Sequence, residues 1–126
     1  MAVDGSSDLG EEEITLSLPA LPQFARVARL TVTGLASRVG FTYDEIEDLR
    51  IAVGEVCSLL LPGPDGRLTC RCRVSADSVS VTATRTPAGP VLEASDLSRQ
   101  ILLAVVDDLE LDQQTGSVRV AKRHRG

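Results

Sequence analysis

The chain has no asparagine, no tryptophan, only three aromatic residues (Phe24, Phe41 and Tyr43), one histidine and three cysteines in 126 positions. With so few aromatics, Val, Leu, Ile and Ala must fill the core, and a base-stacking nucleic-acid surface is disfavoured. The net charge of −5 points the same way, because phosphate backbones and anionic membranes repel an acidic protein. Cys57, Cys70 and Cys72 do not make a disulfide framework, so reduced thiols are expected. No apolar run reaches the roughly 18 residues of a membrane span, and no basic segment precedes an apolar one as in a signal peptide. The expectation is a cytoplasmic protein with no direct nucleic-acid or membrane partner.

What is present suits one domain whose core is large enough to fold alone. Residues 1–12, with Asp4, Asp8, Glu11 and Glu12 among Gly and Ser, read as a disordered acidic leader. Residues 13–122 form the domain and 123–126 a basic tail, and the short basic end Lys122, Arg123, His124 and Arg125 that spans this boundary is expected to be solvated. Ile14 to Leu18 alternates apolar and polar as a half-buried strand does. Phe24, Val27, Ala28, Thr31, Leu35 and Val39 recur at helical spacing, which predicts a helix over 22–39 with these residues inward and Gly40 just past its end. Thr42 and Glu45 form a capping box that opens a second helix over 43–61. Its buried stripe is Ile46, Leu49, Val53, Val56 and Leu60.

Pro62-Gly63-Pro64-Asp65-Gly66 breaks the chain. Two alternating strands, 68–74 and 79–83, then make a hairpin around Ser75-Ala76-Asp77. A third helix covers 96–107, with Leu97, Ile101, Leu102 and Val105 inward. A final hairpin joins 109–111 to 117–121. The order βαα-ββ-α-ββ gives an α+β fold, a two-layer sandwich with a five-stranded, mostly antiparallel sheet and three helices on one face.

The run Phe24-Ala25-Arg26-Val27-Ala28-Arg29-Leu30, followed by Asp44-Glu45-Ile46-Glu47-Asp48-Leu49-Arg50-Ile51-Ala52-Val53-Gly54-Glu55, resembles the first two helices of RsbW-type anti-sigma factors, serine-protein kinases of the GHKL ATPase superfamily. The resemblance covers most of 14–122 and is strongest over 24–57. It implies sequestration of an RNA polymerase sigma factor, release by a competing anti-anti-sigma (STAS-type) protein, a role in stress response, and frequently a homodimer. It also implies that an arginine early in the first helix contacts both partners. Arg26 occupies that position, with Arg29, Leu30 and Thr33 beside it, and these four are the expected partner-binding residues. A guanidinium suits the task because its planar fork of donors matches a carboxylate.

The resemblance further implies a nucleotide site built on Glu-x-x-x-Asn. Residues four apart share a helix face, so the carboxylate can orient an attacking hydroxyl while the amide oxygen helps hold Mg²⁺. Here Glu55 is kept and Leu59 stands where the Asn is expected, in a chain with no asparagine to substitute. Thr84-Arg85-Thr86-Pro87-Ala88-Gly89 lacks the Asp of the family's Asp-x-Gly. Pro90 to Ser95 lacks the glycines whose amides cradle phosphate, and Asp96 opens the third helix with the wrong charge.

The expectation is therefore a degenerate kinase with Glu55 a remnant, no catalytic residue, no cofactor and no metal. Weak metal-free ATP binding stays open, and an ATP-dependent protein-serine kinase acting on an anti-anti-sigma factor is the alternative. Cys70-x-Cys72 on one strand face suggests either core residues or a redox pair. His124, alone and terminal, offers no base for a nucleophile.

Overall fold

The structure is a computed structural model and describes residues 11–61, 66–87, 96–112 and 114–125. The expected leader up to residue 10, the breaker at 62–65, the segment 88–95, Gln113 and Gly126 lie outside them. The elements are β1 (Glu12–Pro19), a 3₁₀ turn (Pro22–Phe24), α1 (Ala25–Arg38), α2 (Tyr43–Leu60), β2 (Arg67–Val74), β3 (Ser78–Thr86), α3 (Asp96–Val105), β4 (Asp108–Asp112) and β5 (Ser117–Arg123). The strands form one sheet in the order β1-β2-β3-β5-β4, and every neighbouring pair is antiparallel. This is the α+β architecture expected from the pattern of the sequence.

Alternation sets the sheet's two faces. Leu68, Cys70, Cys72 and Val74 of β2, Val79, Val81 and Ala83 of β3, and Val118 and Val120 of β5 are buried beneath the helices. The opposite face carries Arg71, Arg73, Ser80, Thr82 and Arg119. Glu13 on β1 pairs there with Arg73 (3.1 Å) and Arg71 (3.6 Å), and Glu110 with Arg119 (3.3 Å). Such exposed pairs are screened by water and contribute little to stability; their use is to keep an uncovered sheet face polar.

The Thr42 capping box is present: the Thr42 hydroxyl accepts from the Glu45 N–H, and the Glu45 carboxylate accepts from the Thr42 N–H. Gly40 has φ +90°, the left-handed value that favours glycine at a helix end. The last hairpin turns on Gly116 at φ +66°, with Asp112 accepting from the N–H groups of Gln114 and Thr115.

Three expectations need correction. In α1 the inward row is Ala28, Val32 and Ala36, all fully buried, whereas Val27 is 39% exposed. An Ala–Val–Ala row at i, i+4 spacing is small enough to let α1 lie close against α2 and the sheet, so it wins over the bulkier alternative. In α3, which ends at Val105, Leu102 is buried but Leu97 is 65% exposed.

The basic C-terminal end is not a solvated tail. Arg123 closes β5, and Lys122 is buried and bound to Asp48 of α2 at 2.8 Å. His124 stacks on Phe41 with ring centroids 5.3 Å apart. Its Nδ1 lies 2.7 Å from Glu45, whose other oxygen accepts from the Arg125 N–H. Burial would raise the Glu45 pKa. Hydrogen bonds from the Arg125 and Thr42 N–H groups and from His124 outweigh it and hold the carboxyl at about 2, from 4.5.

Candidate functional site

Local chemistry decides what α1 shows to its surroundings. Its inward row is aliphatic, while Thr31 and Thr33 return their hydroxyls to the Val27 and Arg29 carbonyls and so spend their polarity within the helix. What remains outward is Arg26, Leu30 (60% exposed) and the edge of Val27. Alongside runs α2, whose outer side carries Arg50, Ile51, Gly54 and Ser58. The two helices leave a shallow groove of about 340 Å³ lined by Arg26, Arg29, Leu30, Thr33 and Arg50. All four residues singled out on α1 thus meet in one place.

Charge in this groove is unbalanced. Arg50 is held by Glu47 one turn away, at 2.6 Å, and that pairing lowers the Glu47 pKa and raises that of Arg50. Arg26 and Arg29 have no ion-pair partner among the described residues. Two guanidiniums with free donor forks beside an exposed leucine can clasp a carboxylate and cover an apolar contact.

Arg50 of the groove, and Gly54 one turn on beside Arg29, are residues that sequence reasoning missed. Their i, i+4 spacing opposite the buried stripe was a usable signal, but only packing places them opposite Arg29.

The remnant of the nucleotide site looks different. Glu55 is half-buried, with no hydrogen-bond or ion-pair partner among the described residues. Leu59, one turn on, is 6% exposed and belongs to the main apolar cluster. The residue four after the glutamate is thus a core side chain, both without a lone pair and turned into a dry environment. The residues present do not fit a magnesium ion at this helix.

The three thiols are buried, and burial raises their pKa to about 11 for Cys57 and Cys72 and about 12 for Cys70. They pack within the apolar core, and the raised pKa leaves little of the reactive thiolate.

Comparison with known proteins places this geometry. No family model matches the chain. The serine-protein kinase RsbW of Bacillus subtilis (strain 168) is 56% identical over 45 residues, which is 36% of this chain and 28% of that protein. The same-named protein of Bacillus pumilus is 39% identical over 75 residues, 54% of this chain and 46% of its own length. Over these segments the chain is similar to serine-protein kinases named RsbW.

A third RsbW, from Listeria innocua, is 39% identical over 75 residues, 56% of this chain and 48% of that one. The RsbW-like chain therefore spans about half the length of these relatives or less. The crystal structure of the RsbU and RsbW domains of a Mycobacterium tuberculosis protein superposes with a TM-score of 0.67 over 90% of this chain and 32% of that one, at 15% identity. That likeness shows a shared fold.

Proposed function

We propose that this RsbW-like protein is an anti-sigma factor: it sequesters an RNA polymerase sigma factor and releases it when an anti-anti-sigma (STAS-type) protein competes. The observation that carries the reading is the α1–α2 groove, where Arg26 and Arg29 lie unpaired beside Leu30 and Thr33. The partial but strong identity to serine-protein kinases named RsbW supports it. We place the protein in the cytoplasm, as a homodimer, in a stress response. No helix among the described residues is long and apolar enough to cross a membrane.

On this reading the protein does not phosphorylate its antagonist. Release then follows mass action, and the competitor must be more abundant or bind more tightly. Arg26→Glu should weaken sigma-factor binding by about 2 kcal/mol or more, roughly thirtyfold. Unchanged affinity in titration calorimetry sinks the assignment.

The relatives' name favours one rival, an ATP-dependent protein-serine kinase. Incubation with labelled ATP, Mg²⁺ and a candidate anti-anti-sigma protein separates the two. Transfer to a serine that is lost in Glu55→Gln supports the rival.

A further inference from the structure

The groove does not end at Arg29. Next to that side chain lies a second depression of about 330 Å³, lined by Pro22, Ala25, Arg29, Gly54, Cys57, Ser58 and Leu61, with the Ser58 hydroxyl turned back onto the Gly54 carbonyl at 3.1 Å. Arg29 is therefore a wall shared by two compartments. One is cationic, with Arg26 and Arg50; the other is mainly apolar, and the nearly inaccessible Cys57 and Leu61 contribute to its floor.

Gly54 gives this second compartment a meaning. It sits inside an 18-residue helix, where glycine costs about 0.5–1 kcal/mol relative to alanine. The fold does not ask for it: φ is not positive, and a Cβ built there meets nothing closer than the Arg29 Cδ at 3.9 Å. No backbone approaches the position and no turn needs it. What the missing side chain leaves is open volume beside a cation that lacks a partner.

We infer that the α1–α2 groove is a two-part socket for one segment of the partner: a carboxylate clasped by Arg26 and Arg29, and beside it an aliphatic side chain of leucine size seated over Gly54. Charge complementarity names the first element, since Arg26 and Arg29 are uncompensated among the described residues. Gly54 and the mainly apolar surface of Pro22, Ala25, Cys57 and Leu61 around it name the second, because an apolar lining rewards an aliphatic insert and penalises a polar one. The occupant is thus an acidic-aliphatic protein segment. The inference rests on the partner-binding reading above and deepens it.

The test uses the full chain and an array of 15-residue peptides. Each peptide carries one Glu and one Leu at varied spacing, with Glu→Lys and Leu→Ala controls. The same proteins are titrated against purified sigma factors of the source organism. The wild type should select Glu–Leu peptides over both controls.

Gly54→Leu should bind the Glu–Leu peptides and the sigma factor at least about tenfold more weakly, having lost the gain of burying one aliphatic side chain. It should no longer distinguish Leu from Ala, yet still reject the Lys control. Arg26→Glu should lose the discrimination between Glu and Lys. Gly54→Ala, which narrows the socket by one methyl, should be intermediate in affinity and melt no lower than the wild type, so lost binding cannot be ascribed to misfolding.

Binding of no peptide, or a Gly54→Leu protein that prefers Leu over Ala as strongly as the wild type, overturns the inference. If a sigma factor binds and Gly54→Leu leaves that affinity unchanged, the socket fails while the anti-sigma reading stands. If the peptides behave as stated and no sigma factor binds, the socket stands and the anti-sigma reading fails.

Discussion

Placing at position 59 the asparagine that the resemblance leads one to expect should destabilise this protein. In Leu59→Asn, a side chain that is 6% exposed within the main cluster is replaced by a carboxamide. Withdrawing a buried leucine forfeits about 2–3 kcal/mol of apolar burial. Placing an amide in the same surroundings without partners costs a further 1–3 kcal/mol or so. The sum, about 3–6 kcal/mol, is a large share of the roughly 5–15 kcal/mol that holds a domain together. For a chain of this size the melting temperature should fall by roughly 10–20 °C.

Urea denaturation should show the same loss as a lower midpoint at unchanged slope. Leu59→Ala separates the two contributions, because it removes the apolar contacts without adding a polar group. Addition of Mg²⁺ and ATP should rescue neither variant. If Leu59→Asn loses less than about 1 kcal/mol and is stabilised by Mg·ATP, then position 59 faces a working nucleotide pocket, and the reasoning about this helix is wrong.

Other consequences are open to measurement. Asp48→Ala should destabilise by about 2–3 kcal/mol in denaturant titrations, since it strands the buried Lys122 ammonium, 8% exposed, without its counter-charge. Lys122→Met should be close to neutral, and a loss equal to that of Asp48→Ala would contradict the account. Glu45 has a folded pKa depressed to about 2 from 4.5. Its stabilisation is therefore fully present above pH 4.5 and disappears as the pH falls towards 2. Glu45→Gln should be less stable at pH 7 and show a shallower loss across that acid range; parallel curves would refute the assignment. Native protein at pH 8 should react slowly with a thiol reagent at Cys57, Cys70 and Cys72, whose pKa values of about 11–12 leave little thiolate. Rapid labelling before unfolding would count against their burial.

Much of the fold could be read directly from local pattern. The alternation in 68–74 and 79–83, the Thr42–Glu45 capping box and Gly40 each encode their own geometry within a few residues, so no tertiary information was needed to place β2, β3 and the start of α2. The missing asparagine, and with it the broken nucleotide motif, is likewise a property of sequence alone.

The inward face of α1 was harder. Val27 and Val32 are equally apolar, and only the close approach of α2 decides that Val32 is the one enclosed. His124 and Lys122 showed no local signal either. Their partners Glu45 and Asp48 lie 79 and 74 residues away, and nothing in a terminal Lys-Arg-His-Arg run tells a solvated end from a docked one.

The candidate site divides along the same line. Composition and helical spacing put Arg26, Arg29, Leu30 and Thr33 on one side of a helix, because a 3.6-residue period is set by the backbone itself. That Arg29 has both Arg50 and Gly54 beside it was settled only when two helices packed. A groove is a property of two surfaces, and a one-dimensional pattern describes one surface at a time.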